Sequence, residues 1–195
     1  TSKKYPVVYL LHGHSGNYTE WPKRAPKLES YADQYQMIFV CPDGNYNSWY
    51  FDSEIKPESQ YETYVAEELV VWIDKTYNTI KDRTGRAITG LSMGGHGALY
   101  LAFKHQDVFG AVGSMSGGVD ITPFPNNWEI SEYLGTYAAH QERWEANSVI
   151  NMTSLLTPNA LQLIISCGTA DFFYDANVKL HNKLEYMNIP HRFLT

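Results

Sequence analysis

The sequence predicts an α/β fold with a mostly parallel central sheet, and three observations support this. Four short apolar runs are nearly continuous, as is typical of strands buried on both faces; they cover 7–11, 37–41, 87–91 and 161–167. Helical hydrophobic periodicity recurs between the runs, over 25–36, 61–77, 94–104 and 171–187. Strand and helix therefore alternate, which is typical of a sheet with helices on both faces. A further short strand is predicted over 111–115.

Length and charge limit the classes of partner. The 195 residues, 44% of them apolar, suit one domain with a sizeable core. The formal net charge of -6 gives no positive field, so neither nucleic acid nor an anionic membrane is expected as a partner. Cys41 and Cys167 each end an apolar run, which favours two small buried side chains. The sequence does not decide whether the two cysteines form a disulfide.

The two ends of the chain indicate a partial domain, and one internal segment indicates an insertion. The sequence starts at Thr1 and enters its first strand without a signal peptide or an initiating Met. At the other end, 191–195 is predicted as a strand, and a domain rarely ends in a strand without a further segment that pairs with it. We expect a single partial domain over 1–195, truncated at both termini. Within it, 119–155 forms a cap-like insertion rich in aromatic residues. These aromatics either wall a substrate pocket or pack the insertion onto the sheet.

The most specific motif is Gly90-Leu91-Ser92-Met93-Gly94, which joins a buried strand to a helix. A serine there sits on a turn tight enough to strain its backbone, and the flanking glycines remove side chains that would collide. This arrangement is the nucleophile elbow of serine hydrolases; a structural turn is the alternative. We predict Ser92 as the nucleophile and the backbone N–H of Met93 as an oxyanion donor. Ser114 and Ser116 lack the elbow spacing.

A second glycine-containing loop, 12–16, follows the first strand. Its glycines let the backbone approach a substrate, so the N–H of His14 is predicted as the second oxyanion donor, and the side chain of His12 is predicted to brace the loop. A metal site at His12 and His14 would need further ligands at suitable spacing, and none is apparent. We therefore expect no metal at these two histidines.

The third candidate is Asp171, which lies between an apolar strand and a helix. Its carboxylate is predicted to orient a catalytic histidine; a plain helix N-cap is the alternative, and Asp175 is the fallback acid. The chain order Ser, Asp, His requires the histidine to follow Asp171. His181, inside a helix, and His191, opening a strand, fit poorly. We therefore expect the base beyond Thr195, and only weak activity without it.

These segments resemble the esterase D family over nearly the whole chain. The matching pieces are YPVVYLLHGHSGN followed by Trp21, then VCPDGNYNSWY, ITGLSMGGHGALYLA and CGTADFF. The family includes S-formylglutathione hydrolases, short-chain tributyrin-type esterases, feruloyl and other cinnamoyl esterases, and mycolyltransferases. The resemblance implies an α/β-hydrolase fold, a Ser, Asp, His triad using Ser92 and Asp171, and neither a metal nor a cofactor. It also implies a Gly-Gly-His loop past the last strand, carrying the base.

The resemblance also indicates a substrate-binding loop. In the family the loop after the second strand often shapes the acyl or alcohol pocket, which points here to Asp43, Asn45, Trp49 and Tyr50. Turn chemistry plus a packed aromatic is the alternative.

The expected function is a serine carboxylester hydrolase that cleaves short-chain or aryl, feruloyl-type, esters, either as small molecules or attached to polysaccharide. The alternatives are an S-formylglutathione hydrolase, an acyltransferase of the same family, and a non-catalytic binding module with a decayed triad. The compartment stays open, with a secreted or periplasmic location favoured over the cytoplasm. The sequence does not decide between a monomer and a homo-oligomer.

Overall fold

The computed structural model describes residues 3–195. Six strands form one sheet in the order β2-β1-β3-β4-β5-β6. They are β1 (Val7–Leu11), β2 (Ile38–Val40), β3 (Arg86–Leu91), β4 (Ala111–Met115), β5 (Gln162–Ser166) and β6 (Arg192–Leu194). Every neighbouring pair is parallel, which confirms the predicted α/β class. The carboxyl ends of all six strands therefore lie at one edge of the sheet.

Eight α-helices connect the strands of the described chain. They are α1 (Glu20–Arg24), α2 (Leu28–Tyr35), α3 (Tyr61–Thr63), α4 (Val70–Thr76), α5 (Met93–Lys104), α6 (Ser131–Leu134), α7 (Gln141–Ala146) and α8 (Tyr174–Tyr186). A π-helical stretch, Tyr64–Leu69, makes α3 and α4 continuous. Short 3-10 turns lie at Arg83–Gly85, Val149–Asn151 and Thr153–Leu155. The helix predicted over 25–36 is shorter than expected, and Gln36 ends it in the left-handed conformation.

The two faces of the central strands are buried to different extents. On the face covered by α5, side chains such as Ile88 and Val112 are buried. On the other face, Ala87 is half-buried and Ile164 is exposed, and they line a groove of about 360 Å³. The expectation of burial on both faces is therefore met on one face only. An apolar run cannot distinguish these cases, because apolar atoms also contribute much of a normal protein surface.

The larger side chains of the segment 119–155 pack into the hydrophobic core. Trp144 is fully buried and donates its indole N–H to the carbonyl of Gly135 at 2.8 Å. Tyr133 is 2% exposed, whereas Trp128 is only partly buried. Tyr133 and Trp144 therefore anchor the segment, whereas Trp128 keeps part of its surface exposed.

Both cysteines are free thiols, so the disulfide that the sequence left open is absent between them. Burial raises the pKa of the Cys41 thiol and of the Cys167 thiol. No helix within residues 3–195 is both long and apolar enough to cross a membrane.

Candidate active site

Ser92 occupies a strained turn between β3 and α5. Its backbone has φ 58° and ψ -116°, a region that non-glycine residues rarely adopt and that costs about 1–3 kcal/mol. Three hydrogen bonds hold the turn. The N–H of Ser92 donates to the carbonyl of Met115 at 2.9 Å, and its carbonyl accepts the N–H of His96 at 3.0 Å and that of Gly118 at 3.4 Å. Strain maintained in this way is typical of functional sites.

The two glycines of the motif are required by close backbone contacts. A Cβ atom on Gly90 would collide with the backbone of Gly94. A Cβ atom on Gly94 would lie 2.6 Å from the carbonyl oxygen of His12 and closer still to that of Leu11. The start of α5 therefore packs directly against the loop that follows β1.

Replacing Gly94 with alanine is expected to destabilise the fold by about 1–3 kcal/mol, because the new methyl group overpacks two backbone carbonyls. Urea unfolding at neutral pH measures the change. Gly168→Ala is the matched control, since nothing lies within 4 Å of a Cβ atom there, and we expect a change within about 0.5 kcal/mol. Equal stability of the two variants would contradict the packing argument.

The loop after β1 lies beside the serine. A Cβ atom on Gly13 would lie 3.6 Å from the Cβ atom of Ser92. His12 is 1% exposed, its Nδ1 lies 2.8 Å from the carbonyl oxygen of Gly13, and the N–H of Gly44 donates to its Nε2 at 2.8 Å. The second bond makes Nε2 the acceptor, so Nδ1 carries the proton. The ring thus links two loops, which is the bracing role predicted for it.

The predicted oxyanion donors lie on either side of this contact. Met93 is the first residue of α5, so its N–H has no acceptor within the helix. The His14 side chain is tied down, with Nε2 2.8 Å from Glu129 Oε2 and its ring 4.9 Å from that of Tyr46. The segment 119–155 therefore holds the loop after β1 through Glu129.

Asp171 lies just past β5, at the same edge of the sheet as Ser92. Its Oδ1 accepts the N–H of Phe173 at 2.8 Å, and its carbonyl accepts the N–H of Tyr174 at 3.0 Å. These bonds form a turn before α8, which begins at Tyr174 with Phe173 as its N-cap and has no side-chain capping bond. The alternative of a plain helix N-cap at Asp171 is therefore wrong. A carboxylate has a second oxygen, so the turn bond at Oδ1 leaves Oδ2 able to orient a histidine. The fallback Asp175 is exposed in the first turn of α8.

Histidines elsewhere in the described chain are engaged away from Ser92. His191 precedes the amino end of β6, whereas Ser92 follows the carboxyl end of β3, so the two lie at opposite edges of a parallel sheet. His181 pairs with His191. His96 is fully buried in α5; burial lowers the pKa of its imidazole to about 4, so the ring is neutral at pH 7. Within residues 3–195 no imidazole hydrogen-bonds to Ser92 Oγ.

Comparison with known proteins identifies the family of this chain. The Esterase family model, described as "Putative esterase", matches residues 1–188. The chain belongs to the Esterase family.

Individual relatives agree with this assignment. An acetyl esterase from Caldicellulosiruptor saccharolyticus is 27% identical over 198 residues, covering 94% of this chain and 73% of that protein. A solved ferulic acid esterase is 30% identical with a TM-score of 0.80, covering 98% of this chain and 76% of the other. The chain spans only 17% of the endo-1,4-beta-xylanase/feruloyl esterase from Xylanibacter ruminicola, with 33% identity over 123 residues and 60% of this chain. The predicted α/β-hydrolase fold and carboxylic ester hydrolase class are confirmed.

Two of the predicted substrate-binding side chains lie inside this esterase. Trp49 is 1% exposed and Tyr50 is fully buried. The Tyr50 ring fills the space beside Gly97, and its hydroxyl donates to the carbonyl of His12 at 3.0 Å. Both side chains therefore support the active-site loops from beneath, which corrects the predicted substrate contact. Asn45 is exposed, with φ 58°, and remains a candidate.

An aromatic cluster lies next to Asp171 and includes two residues of the segment 119–155. Its members are Phe124, Trp128, Phe172 and Phe173. The rings of Trp128 and Phe172 are stacked, with centroids 5.9 Å apart and planes at 20°, and Phe172 is 69% exposed. The sequence signals were the aromatic-rich segment 119–155, expected either to wall a pocket or to pack onto the sheet, and the pair of phenylalanines after Asp171. Trp128 comes from the distant insertion, so the stack depends on tertiary structure.

Proposed function

We propose that this chain is the catalytic core of a serine esterase that cleaves short-chain and aryl carboxylic esters through an acyl-enzyme on Ser92. The observation that carries the proposal is the strained conformation of Ser92, φ 58°, at the carboxyl edge of the sheet beside the loop of Gly13. Family membership over residues 1–188 supports the reaction class.

The proposed reaction has two steps. Ser92 Oγ attacks the ester carbonyl carbon, the carbonyl electron pair moves to oxygen, and the backbone N–H groups of Met93 and His14 stabilise the oxyanion. The alcohol then leaves with a proton, and water releases the acid from the acyl-enzyme. A histidine oriented by Asp171 would move both protons.

The aromatic cluster favours aryl acyl groups among the candidate substrates. The N–H of Gly118 donates to the carbonyl of Ser92, and a Cβ atom on Gly118 would lie 3.1 Å from the ring of Phe173. Phe173 packs on Trp128, which stacks on Phe172. A chain of aromatic contacts thus runs from the serine turn through the buried Phe173 and the partly buried Trp128 to the exposed Phe172. A planar phenolic acyl group would gain offset stacking there, worth about 0.5–1.5 kcal/mol.

The full product of the gene should hydrolyse both p-nitrophenyl acetate and methyl ferulate. Phe172→Ala should lower kcat/KM for methyl ferulate roughly three- to tenfold, because the stacking surface is lost, and leave that for the acetate within about twofold. Tyr186→Ala, at an 88% exposed position in α8, is the matched control. Hydrolysis of neither ester would contradict the esterase proposal. An equal loss on both esters would contradict the aryl preference alone.

A further inference from the structure

The histidines that the catalytic site leaves unused, His181 and His191, face each other at the opposite edge of the sheet. His181 lies in α8 and His191 just before β6. The His181 Nδ1 and His191 Nε2 atoms are 2.7 Å apart. The His181 ring also stacks on Phe193 of β6, with centroids 4.7 Å apart and planes at 13°. Two imidazoles from different elements are thus held with ring nitrogens converging.

The orientation of His191 is fixed by the backbone. Its side chain has no exposed surface, and its Nδ1 lies 2.8 Å from the carbonyl oxygen of Ile189. Because a carbonyl only accepts, Nδ1 carries the proton and the Nε2 lone pair points at His181. Metal-binding histidines usually have this arrangement, in which the nitrogen away from the metal donates to a backbone carbonyl or carboxylate.

A carboxylate completes the group. Glu185 lies one helical turn after His181, so both side chains project from the same side of α8. Glu185 Oε1 is 3.9 Å from His191 Nε2, and one ligand atom from each of the three residues lies within 4.8 Å of the others. The Glu185 side chain is 64% exposed, so it can rotate freely and leaves an opening to solvent.

We propose that His181, Glu185 and His191 form a binding site for Zn²⁺, separate from the esterase site. Two neutral imidazoles and one carboxylate are a ligand set that zinc accepts, with bonds of about 2.0–2.2 Å and a water in the fourth tetrahedral position. Tetrahedral geometry at these bond lengths sets the two nitrogens about 3.3 Å apart, so the imidazoles separate by roughly 0.6 Å on binding. Nitrogen ligands disfavour Ca²⁺ and Mg²⁺, which prefer all-oxygen sites.

The bound ion would join α8 to the short edge strand β6. The three-residue β6 pairs with β5 on one side and ends the sheet on the other. An ion bound by the folded protein alone stabilises that state by mass action. Zinc should therefore raise the Tm in a concentration-dependent manner, whether or not the protein hydrolyses esters.

The test is calorimetric titration of the chelator-treated full gene product with Zn²⁺, together with the visible d–d absorption of Co²⁺ in the same site. We expect saturable 1:1 binding, a tetrahedral Co²⁺ spectrum, and binding at least ~10-fold weaker in His181→Gln, His191→Gln and Glu185→Gln. His140→Gln, at an exposed histidine elsewhere, should bind as the unmodified protein does.

The Glu185 variant keeps the test decisive if a histidine variant fails to fold, because its side chain is largely exposed. Absence of saturable binding, or binding unchanged in Glu185→Gln, would overturn the proposal. His181 and His191 would then be a hydrogen-bonded pair only.

Discussion

Replacing Ser92 with alanine is expected to lower kcat/KM for p-nitrophenyl acetate by about 10⁴-fold or more and to abolish labelling by a fluorophosphonate probe. The alanine removes the atom that forms the acyl-enzyme, and loss of a serine nucleophile in comparable hydrolases costs up to about 10⁶-fold. The residual rate comes from the oxyanion donors and substrate binding. Steady-state hydrolysis and peptide mass spectrometry of the labelled full gene product measure both effects.

Ser116→Ala is the matched control for this prediction. Ser116 also follows a strand of the sheet and also has a positive φ, 46°, but its N–H donates to Ser166 in the neighbouring strand and no helix starts from it. We expect this variant to be labelled at Ser92 as before. If labelling were lost in Ser116→Ala and kept in Ser92→Ala, the nucleophile would be Ser116 and the prediction for Ser92 would be wrong. Unlabelled protein in every case would favour a binding module with a decayed triad.

The second large effect is expected at Glu62, which links α3 to α5. Its Oε2 lies 2.5 Å from Lys104 Nζ and accepts the Tyr100 hydroxyl at 2.9 Å, and its Oε1 is 2.8 Å from His105 Nε2. Burial by itself raises the pKa of this carboxyl group. The hydrogen bonds from His105 and Lys104 outweigh burial and lower the pKa from 4.5 to about 2.

This pKa shift makes the stability of the fold dependent on pH. The depressed pKa means that the unfolded chain takes up the Glu62 proton first as the pH falls. The contribution, about 3 kcal/mol for this shift, is complete above about pH 5 and is lost as the pH falls towards 2. Glu62→Gln should therefore lower the free energy of unfolding at pH 7 by about 2–3 kcal/mol and flatten its decline in acid.

Urea unfolding between pH 2 and 7 measures this prediction. Glu67→Gln is the control, because Glu67 is exposed in the same continuous helix and its loss should change stability by less than about 0.5 kcal/mol. If the two variants were equally stable at pH 7, or if Glu62→Gln kept the full acid dependence, the Glu62 network would not have the stabilising role argued here.

Local chemistry explains which sequence predictions succeeded. The turn at Ser92 needs glycines two residues before and two residues after it, because a Cβ atom at either position would collide with backbone atoms. This requirement is visible in the sequence because it concerns five consecutive residues. Strand β4 lies at the residues predicted from its apolar run, and the helix predicted over 61–77 is continuous from Tyr61 to Thr76. Asp171 likewise follows its strand directly. These features depend on neighbours within a few positions in the chain.

Partners distant in sequence account for the predictions that failed. The family resemblance pointed to Trp49 and Tyr50 as pocket residues, yet both are buried against Gly97 and Gly118, which lie on other elements. Glu129 reaches His14 across 115 positions of sequence. A sequence pattern cannot report such pairs, since it carries no information on which loops meet.

The sequence by itself determined the parallel α/β architecture and the tight, glycine-flanked turn at Ser92, because strand burial and tight-turn sterics are local properties. Its motifs also pointed to the family to which the chain belongs. Only the tertiary structure decided which aromatic rings face solvent beside Asp171 and which lie beneath the loops. It also brought His181 and His191 together at the far edge of the sheet. Those placements depend on how separate elements pack, and the free energy of that packing belongs to contacts between residues far apart in the chain.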